Sequence, residues 1–283
     1  MTTVAAAGWS LTPLPFILAA IVIGLFASGF GRLRARAPRH ARWWRAALFC
    51  GAVTLGLLAT ISPLHEAGEE ELLSAHMLEH VIIGDVVPAA LMVSLQGPLL
   101  AFVVPVTVIA AVTRRPRLRA VLGRLVSPAG ALAIWLASLA AWHVPAVYDA
   151  AAESWPLHLL QHACFMLSGT LVWFVLVDVA RRRTPTATKL GVALTLFVAG
   201  QFLATTLVLA EHPIYSRYAT DSGLLGLSPL ADQDAAGLVM MGEQLLSLGL
   251  FAVFAIRRHL DETLSNPTPD PLTRQTLVGQ RLP

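Results

Sequence analysis

Residues 98–124 read PLLAFVVPVTVIAAVTRRPRLRAVLGR, and the number of times this chain crosses a membrane turns on them. The first part, Pro98 to Val112, is apolar but short, and it contains Pro98 and Pro105. The second part carries Arg114, Arg115, Arg117, Arg119 and Arg124. A membrane-crossing helix needs roughly 20 mostly apolar residues. Seven other runs reach that length, at about 12–31, 44–63, 72–96, 128–147, 155–180, 189–211 and 234–257. With those seven spans, every one of the 20 Lys and Arg residues except Arg217 falls on one face of the membrane. An eighth span at 98–112 would make the later basic clusters alternate sides. The positive-inside rule therefore makes 98–112 a re-entrant or interfacial helix on the cytoplasmic side. It predicts an all-α integral membrane protein, a seven-transmembrane-helix bundle with its N-terminus outside and its C-terminus in the cytoplasm.

Composition agrees. Of the 283 residues 56% are hydrophobic and 13% are charged, whereas soluble domains carry about 25% charged residues. A chain this poor in charge needs lipid as solvent. Its net charge of +3 does not point to nucleic acid, because the basic residues sit in short clusters between apolar runs. No Lys or Arg precedes the first run, so that run reads as a retained helix and not as a cleavable signal peptide. Residues 1–258 form one membrane domain in this reading. Residues 259–283, with Pro267, Pro269 and Pro271, form a disordered cytoplasmic tail. The two cysteines, Cys50 and Cys164, fall in different apolar runs with no CxxC, so a structural disulfide is not expected.

The face opposite the arginines is acidic, with Glu66, Glu69, Glu70, Glu71, Asp149, Glu153, Glu211, Asp221, Asp232 and Asp234. Such a run is ordinarily a solvated loop. It can also concentrate cations at an outer mouth.

Seven of the nine histidines gather at this end: His65, His76, His80, His143, His158, His162 and His212. At ~1.5 Å per residue, His76, His80, His143, His158 and His162 fall within roughly 5–14 Å of the outer boundary. His76/His80 and His158/His162 are i, i+4 pairs, so each pair projects from one helix face. Histidines in a span can simply hydrogen-bond neighbouring helices. Five at one depth, two pairs among them, point instead to a metal site. Imidazole suits zinc, copper and iron, and thioether ligands tilt the choice towards copper. Met166 continues the His158/His162 face, and Met240 and Met241 lie near the outer end of the last helix. Met77 points about 100° away from the His76/His80 face. Haem held between two depths does not fit, because the inner half of the bundle has no histidine.

His76-Met77-Leu78-Glu79-His80 also matches H-x-x-E-H, a zinc-peptidase pattern in which the glutamate activates a bound water. Nothing else supports a soluble peptidase, and Glu79 reads better as a partner of the ligands or a pore-facing acid. An intramembrane zinc hydrolase and a copper transporter are the competing readings. A transporter would want ligands stepping through the bilayer, and the inner half offers Cys50, Asp85 and Asp178.

Four segments together carry a resemblance. They are Ser74-Ala75-His76-Met77-Leu78-Glu79-His80, Trp142-His143-Val144-Pro145-Ala146-Val147-Tyr148-Asp149, His158-Leu159-Leu160-Gln161-His162-Ala163-Cys164-Phe165 and Ala231-Asp232-Gln233-Asp234-Ala235-Ala236-Gly237. The chain resembles the bacterial cytochrome c oxidase assembly factor CtaG family, in its multi-pass, caa3-associated form, from about residue 12 to 258. The resemblance implies seven spans in the bacterial cytoplasmic membrane and a non-enzymatic role in maturing haem–copper oxidase at the copper-delivery stage. It implies His76, His80, His143, His158 and His162 as ligands, with Met166, Met240 and Met241 as thioether candidates. Glu79, Asp149, Gln161, Asp232 and Gln233 are the expected supporting polar residues. The expected partners are an oxidase subunit and an external copper chaperone, and the expected metal is copper, with zinc as the alternative.

Overall fold

The computed structural model describes residues 8–179, 182–220 and 224–265. Among these residues there are helices and turns and no strand. The long helices are α1 (Pro13–Arg36), α2 (Trp43–Ile61), α4 (Leu73–Ser94), α10 (Trp155–Leu176), α11 (Thr186–Leu209) and α12 (Pro229–Ser265). The short ones are α3 (Pro63–Glu70), α5 (Leu99–Val103), α6 (Val106–Arg114), α7 (Pro116–Leu125), α8 (Pro128–Trp142) and α9 (Pro145–Ala152). Many of them begin on proline, whose fixed φ and missing N–H suit the first helical turn. Before α8, Ser127 also accepts a hydrogen bond from Gly130 N at 3.1 Å.

Six helices are long and apolar enough to cross a membrane, and a seventh span results if α7 and α8, bent by 66°, count as one. Their outward faces are apolar: Phe202 is 77% exposed and Phe254 66%. Water would not tolerate that surface, whereas lipid solvates it.

The expected fourth span, 128–147, is shorter than predicted. Its helix stops at Trp142, because Val144 must be extended to precede Pro145, and Pro145 starts α9. His143 is therefore the residue that closes α8 and does not lie inside a span. Segment 98–112 forms two short helices broken at Pro105, with Val104 extended before it. α5 folds back against α1, where a Cβ on Gly29 would meet the Phe102 carbonyl oxygen at 2.7 Å. Arg32 donates to that same carbonyl at 2.6 Å. At the C-terminal end α12 continues to Ser265, into the segment read as tail from His259; the rest of that tail lies outside the described residues.

Among the described residues two larger apolar clusters, and a small one of Trp142, Ala151 and Phe165, hold the bundle. The first of the two lies at the arginine-rich end and joins Phe26, Phe49, Trp173, Leu196 and Phe251 among others, with the Phe26 and Phe49 rings stacked at 3.9 Å. The second lies at the histidine end around Leu73, Met77, Tyr148, Leu207, Tyr215 and Tyr218.

Between them α4 and α10 touch backbone to backbone. A Cβ on Gly169 would stand 1.8 Å from the Gly84 carbonyl oxygen. That carbonyl is where α4 loses its α-helical register: Pro88, four residues on, has no N–H to offer it, and residues Ile82–Val86 form a π-helical turn. The close crossing brings the histidines of both helices together about one to three turns above.

Candidate metal centre

The start of α4 is fixed from a distant helix. Asp232 of α12 accepts hydrogen bonds from Leu73 N at 2.6 Å, from Ser74 N at 3.1 Å and from Ser74 Oγ. These are first-turn N–H groups with no partner inside their helix, and a carboxylate answers both the hydrogen bonds and the positive helix end. Gln233 works alongside, accepting from Ile214 N at 2.7 Å and donating to Leu207 O at 3.0 Å. Asp149 accepts from Ser216 Oγ at 2.7 Å and from Ser216 N at 3.3 Å. These three predicted polar residues therefore hold the frame of the site.

One turn into α4 stands His76 and a turn further His80. α10 presents His158 opposite. One ligand nitrogen from each of His76, His80 and His158 lies within 4.8 Å of the others, and all three side chains are buried. The ring centroids of His76 and His80 are 4.1 Å apart, and those of His76 and His158 are 5.2 Å apart. Ring nitrogens this close to one another could share one ion, which imidazole binds at about 2.0–2.1 Å.

The hydrogen-bond pattern fits a metal. His76 Nδ1 is accounted for, 3.3 Å from Tyr218 Oη and 3.4 Å from Glu69 Oε1. Its Nε2 is buried with no partner, as are both nitrogens of His80. Buried polar atoms without a partner are rare and costly in native proteins. Holding Nδ1 from outside while Nε2 is left free is how ligating histidines are oriented.

His143 and His162 stand beside the triad. His143 Nδ1 donates to Leu139 O at 2.8 Å, which leaves Nε2 unprotonated, buried and without a hydrogen-bond partner. His162 packs with its ring centroid 5.1 Å from that of His80, and its Nε2 is 3.7 Å from Glu79 Oε1. Glu79, fully buried, has both oxygens 3.0 Å from His65 Nδ1. Gln161 is buried with its amide unpartnered. The methionines divide. Met240 lines a small cavity with His80 and His143, and so does Met77, which helical geometry had set aside. Met241 packs in the tyrosine cluster, and Met166 does not line that cavity.

Sequence reading missed His65 and Glu69. Glu69 Oε1 is 3.1 Å from His158 Nε2 as well as near His76, so it bridges α4 and α10. By sequence His65 counts at the histidine end without a part in the site, and Glu69 belongs to the acidic run read as a solvated loop. That loop is helix α3, and Gly68 lets it lie on α4, since a Cβ there would be 2.9 Å from His76 Cα. The spacing Pro63-x-His65-x-x-x-Glu69, with proline at a helix start, carried that signal. Burial opposes the charge on each. For Glu69 the His76 hydrogen bond and the charges of His158, His76 and His65 outweigh it, and its pKa is lowered. For His65 the hydrogen bond and charge of Glu79 outweigh it, with Glu69 and Glu66 adding, and its pKa is raised. The span at 234–257 contains Glu243 of α12, but sequence reading did not count it among the candidate ligands; it lines the same small cavity as Asp85.

No curated protein and no solved structure matches the chain. A family of cytochrome c oxidase caa3 assembly factors does, over residues 24–262, which takes in the histidine-bearing helices and the Asp232 cap. By that match over most of its length, the chain belongs to the cytochrome c oxidase caa3 assembly factor family.

Proposed function

We propose that the protein binds copper at His76, His80 and His158 and helps to metallate a haem–copper oxidase, with the histidine end facing outside the cytoplasmic membrane. The observation that carries this reading is the set of buried ring nitrogens on His76 and His80 that find no hydrogen-bond partner while sharing a triad with His158. Copper is favoured over zinc because the thioethers of Met77 and Met240 line the cavity at His80, a softer donor set than zinc requires. Two further buried nitrogens, Nε2 of His143 and of His162, give the ion neighbouring positions to which it can move. An assembly factor needs to release what it captures, and imidazole with thioether changes coordination with oxidation state.

The test is metal analysis of the purified chain. His76→Ala and His158→Ala each lower copper content below that of the wild type, while His40→Ala and His259→Ala leave it unchanged. Equal copper in all four variants overturns the copper site, and stoichiometric zinc without copper replaces copper by zinc. In cells, deletion leaves the oxidase polypeptide present but copper-deficient, with partial rescue by added copper. A copper-replete, active oxidase in the deletion strain counts against the metallation role.

A further inference from the structure

Beneath the triad, towards the arginine end, lies a cavity of about 80 Å³. His80 forms its roof, only 6% exposed and with both ring nitrogens unpartnered. Its floor carries two acids from different helices, Asp85 of α4 and Glu243 of α12. Asp85 sits in the π-helical turn, where the extra residue per turn re-aims side chains. Its Oδ1 accepts from Trp173 Nε1. Both acids line this one cavity, and Asp85 Oδ2 and Glu243 Oε1 are buried with no hydrogen-bond partner. No Lys or Arg lines the cavity.

Two carboxyls lining one cavity inside a membrane slab, with no basic partner, need either a shared proton or a cation between or beside them. Met77, Met240 and His143 supply soft and borderline donors around the same space. The geometry points to a second, deeper cation station, built by Asp85 and Glu243 with Met77, Met240 and His143, that receives the cuprous ion from the triad through His80. Thioether and imidazole bond the ion, and the carboxyls neutralise its charge. This inference rests on the copper reading of the triad. Glu243 also lines a larger groove of about 1170 Å³, walled by Leu246, Leu250 and Phe254, whose side chains are exposed where lipid would lie. An ion at the station thus faces the histidines on one side and a membrane-facing groove on the other.

The experiment titrates full-length protein in detergent with cuprous ion alone, against a competing chromophoric chelator, and records copper-edge X-ray absorption at each step. Wild type takes two ions, the first with a nitrogen shell and the second adding sulfur. Asp85→Asn and Glu243→Gln, near-isosteric changes, keep the first ion and lose the second. Met240→Leu keeps the first and weakens the second at least tenfold, with loss of the sulfur signal. His76→Ala loses the first ion. Loss of the second ion only in the acid and Met240 variants supports the station. One ion in wild type, unchanged in Asp85→Asn, Glu243→Gln and Met240→Leu, overturns it and leaves the acid pair sharing a proton. A single ion that is sensitive to Asp85→Asn but not to His76→Ala upholds the station and refutes the triad reading instead.

Discussion

Asp232 caps the helix that begins at Leu73, a residue 159 positions away in sequence, through a 2.6 Å hydrogen bond to the Leu73 N–H. The last helix of the chain thereby sets the height and rotation of the helix that carries His76 and His80. Asp232→Ala removes three hydrogen bonds and the favourable charge at the helix end, and loss of a cap costs about 0.5–2 kcal/mol. The expected result is a lower unfolding temperature and weaker copper binding with full stoichiometry still reached at high copper. Asp232→Asn retains a capping oxygen and falls between. Stoichiometry lost outright in Asp232→Ala would make this residue a ligand and not a cap.

Gly169→Ala tests the helix crossing without touching a ligand. The new Cβ would stand 1.8 Å from the Gly84 carbonyl oxygen and 3.2 Å from Pro88 Cγ. Backbone cannot yield as a flexible side chain can, so α4 and α10 must separate, at about 1–3 kcal/mol by comparison with other overpacked sites. Copper affinity falls with stability, because His76 and His80 ride on one helix and His158 on the other. Gly191→Ala on α11, where no atom lies within 4 Å of the new Cβ, is the control and leaves both unchanged. Wild-type copper affinity in Gly169→Ala would show that the crossing does not position the triad.

Much of this arrangement was legible in the sequence. The i, i+4 spacing of His76/His80 and of His158/His162 placed imidazoles on single faces of two helices, and the structure brings His76, His80 and His158 together. Most span boundaries followed from apolar run length, but Val144-Pro145 ended α8 early, and α1 and α12 run on to Arg36 and Ser265. What periodicity does not encode is contact between helices. Glu69 looked like loop charge because its partners, His76 and His158, lie on two other helices. Met77 was set aside on angle alone, yet a cavity wide enough to hold both a methionine and a histidine wall takes in two faces of α4. That Asp85 and Glu243 line one cavity was invisible for the same reason, since the π turn shifts the register that helical counting assumes.

The His65–Glu79 contact makes the metal-free protein pH-sensitive with a definite sign. Burial alone would lower the pKa of His65, but the Glu79 hydrogen bond and charge, with Glu69 and Glu66, raise it above its usual 6.5. A raised histidine contributes stability that is fully present below its unfolded value and is lost as pH rises through the folded value. Glu69, held low by His76 and His158, contributes stability present above its usual 4.5 and lost as pH falls through its lowered value. Histidine-selective NMR of the metal-free chain should therefore show His65 titrating above 6.5, and Glu79→Gln should bring that midpoint down. A His65 midpoint at or below 6.5 with Glu79 intact would refute the contact as an ion pair.

Orientation rests on the asymmetry of charge, and it can be tested at two exposed positions. Cysteines placed one at a time at Arg119 and Leu225, in a background with Cys50→Ala and Cys164→Ala, report from opposite ends of the bundle. Arg119 belongs to the arginine-rich α7, whereas Leu225 is 77% exposed in the segment beyond α11, near the histidine end. Basic segments are retained on the cytoplasmic side because moving Lys and Arg across the bilayer during insertion is costly. In intact cells an impermeant thiol reagent should label the Leu225 position and spare Arg119, and permeabilisation should expose Arg119. The same orientation puts the acidic α3 and the triad at the outer side, as the proposed capture of copper from outside requires. Labelling of the Arg119 position from outside would invert the bundle, place the histidines on the cytoplasmic side, and require the metal to be captured from within the cell.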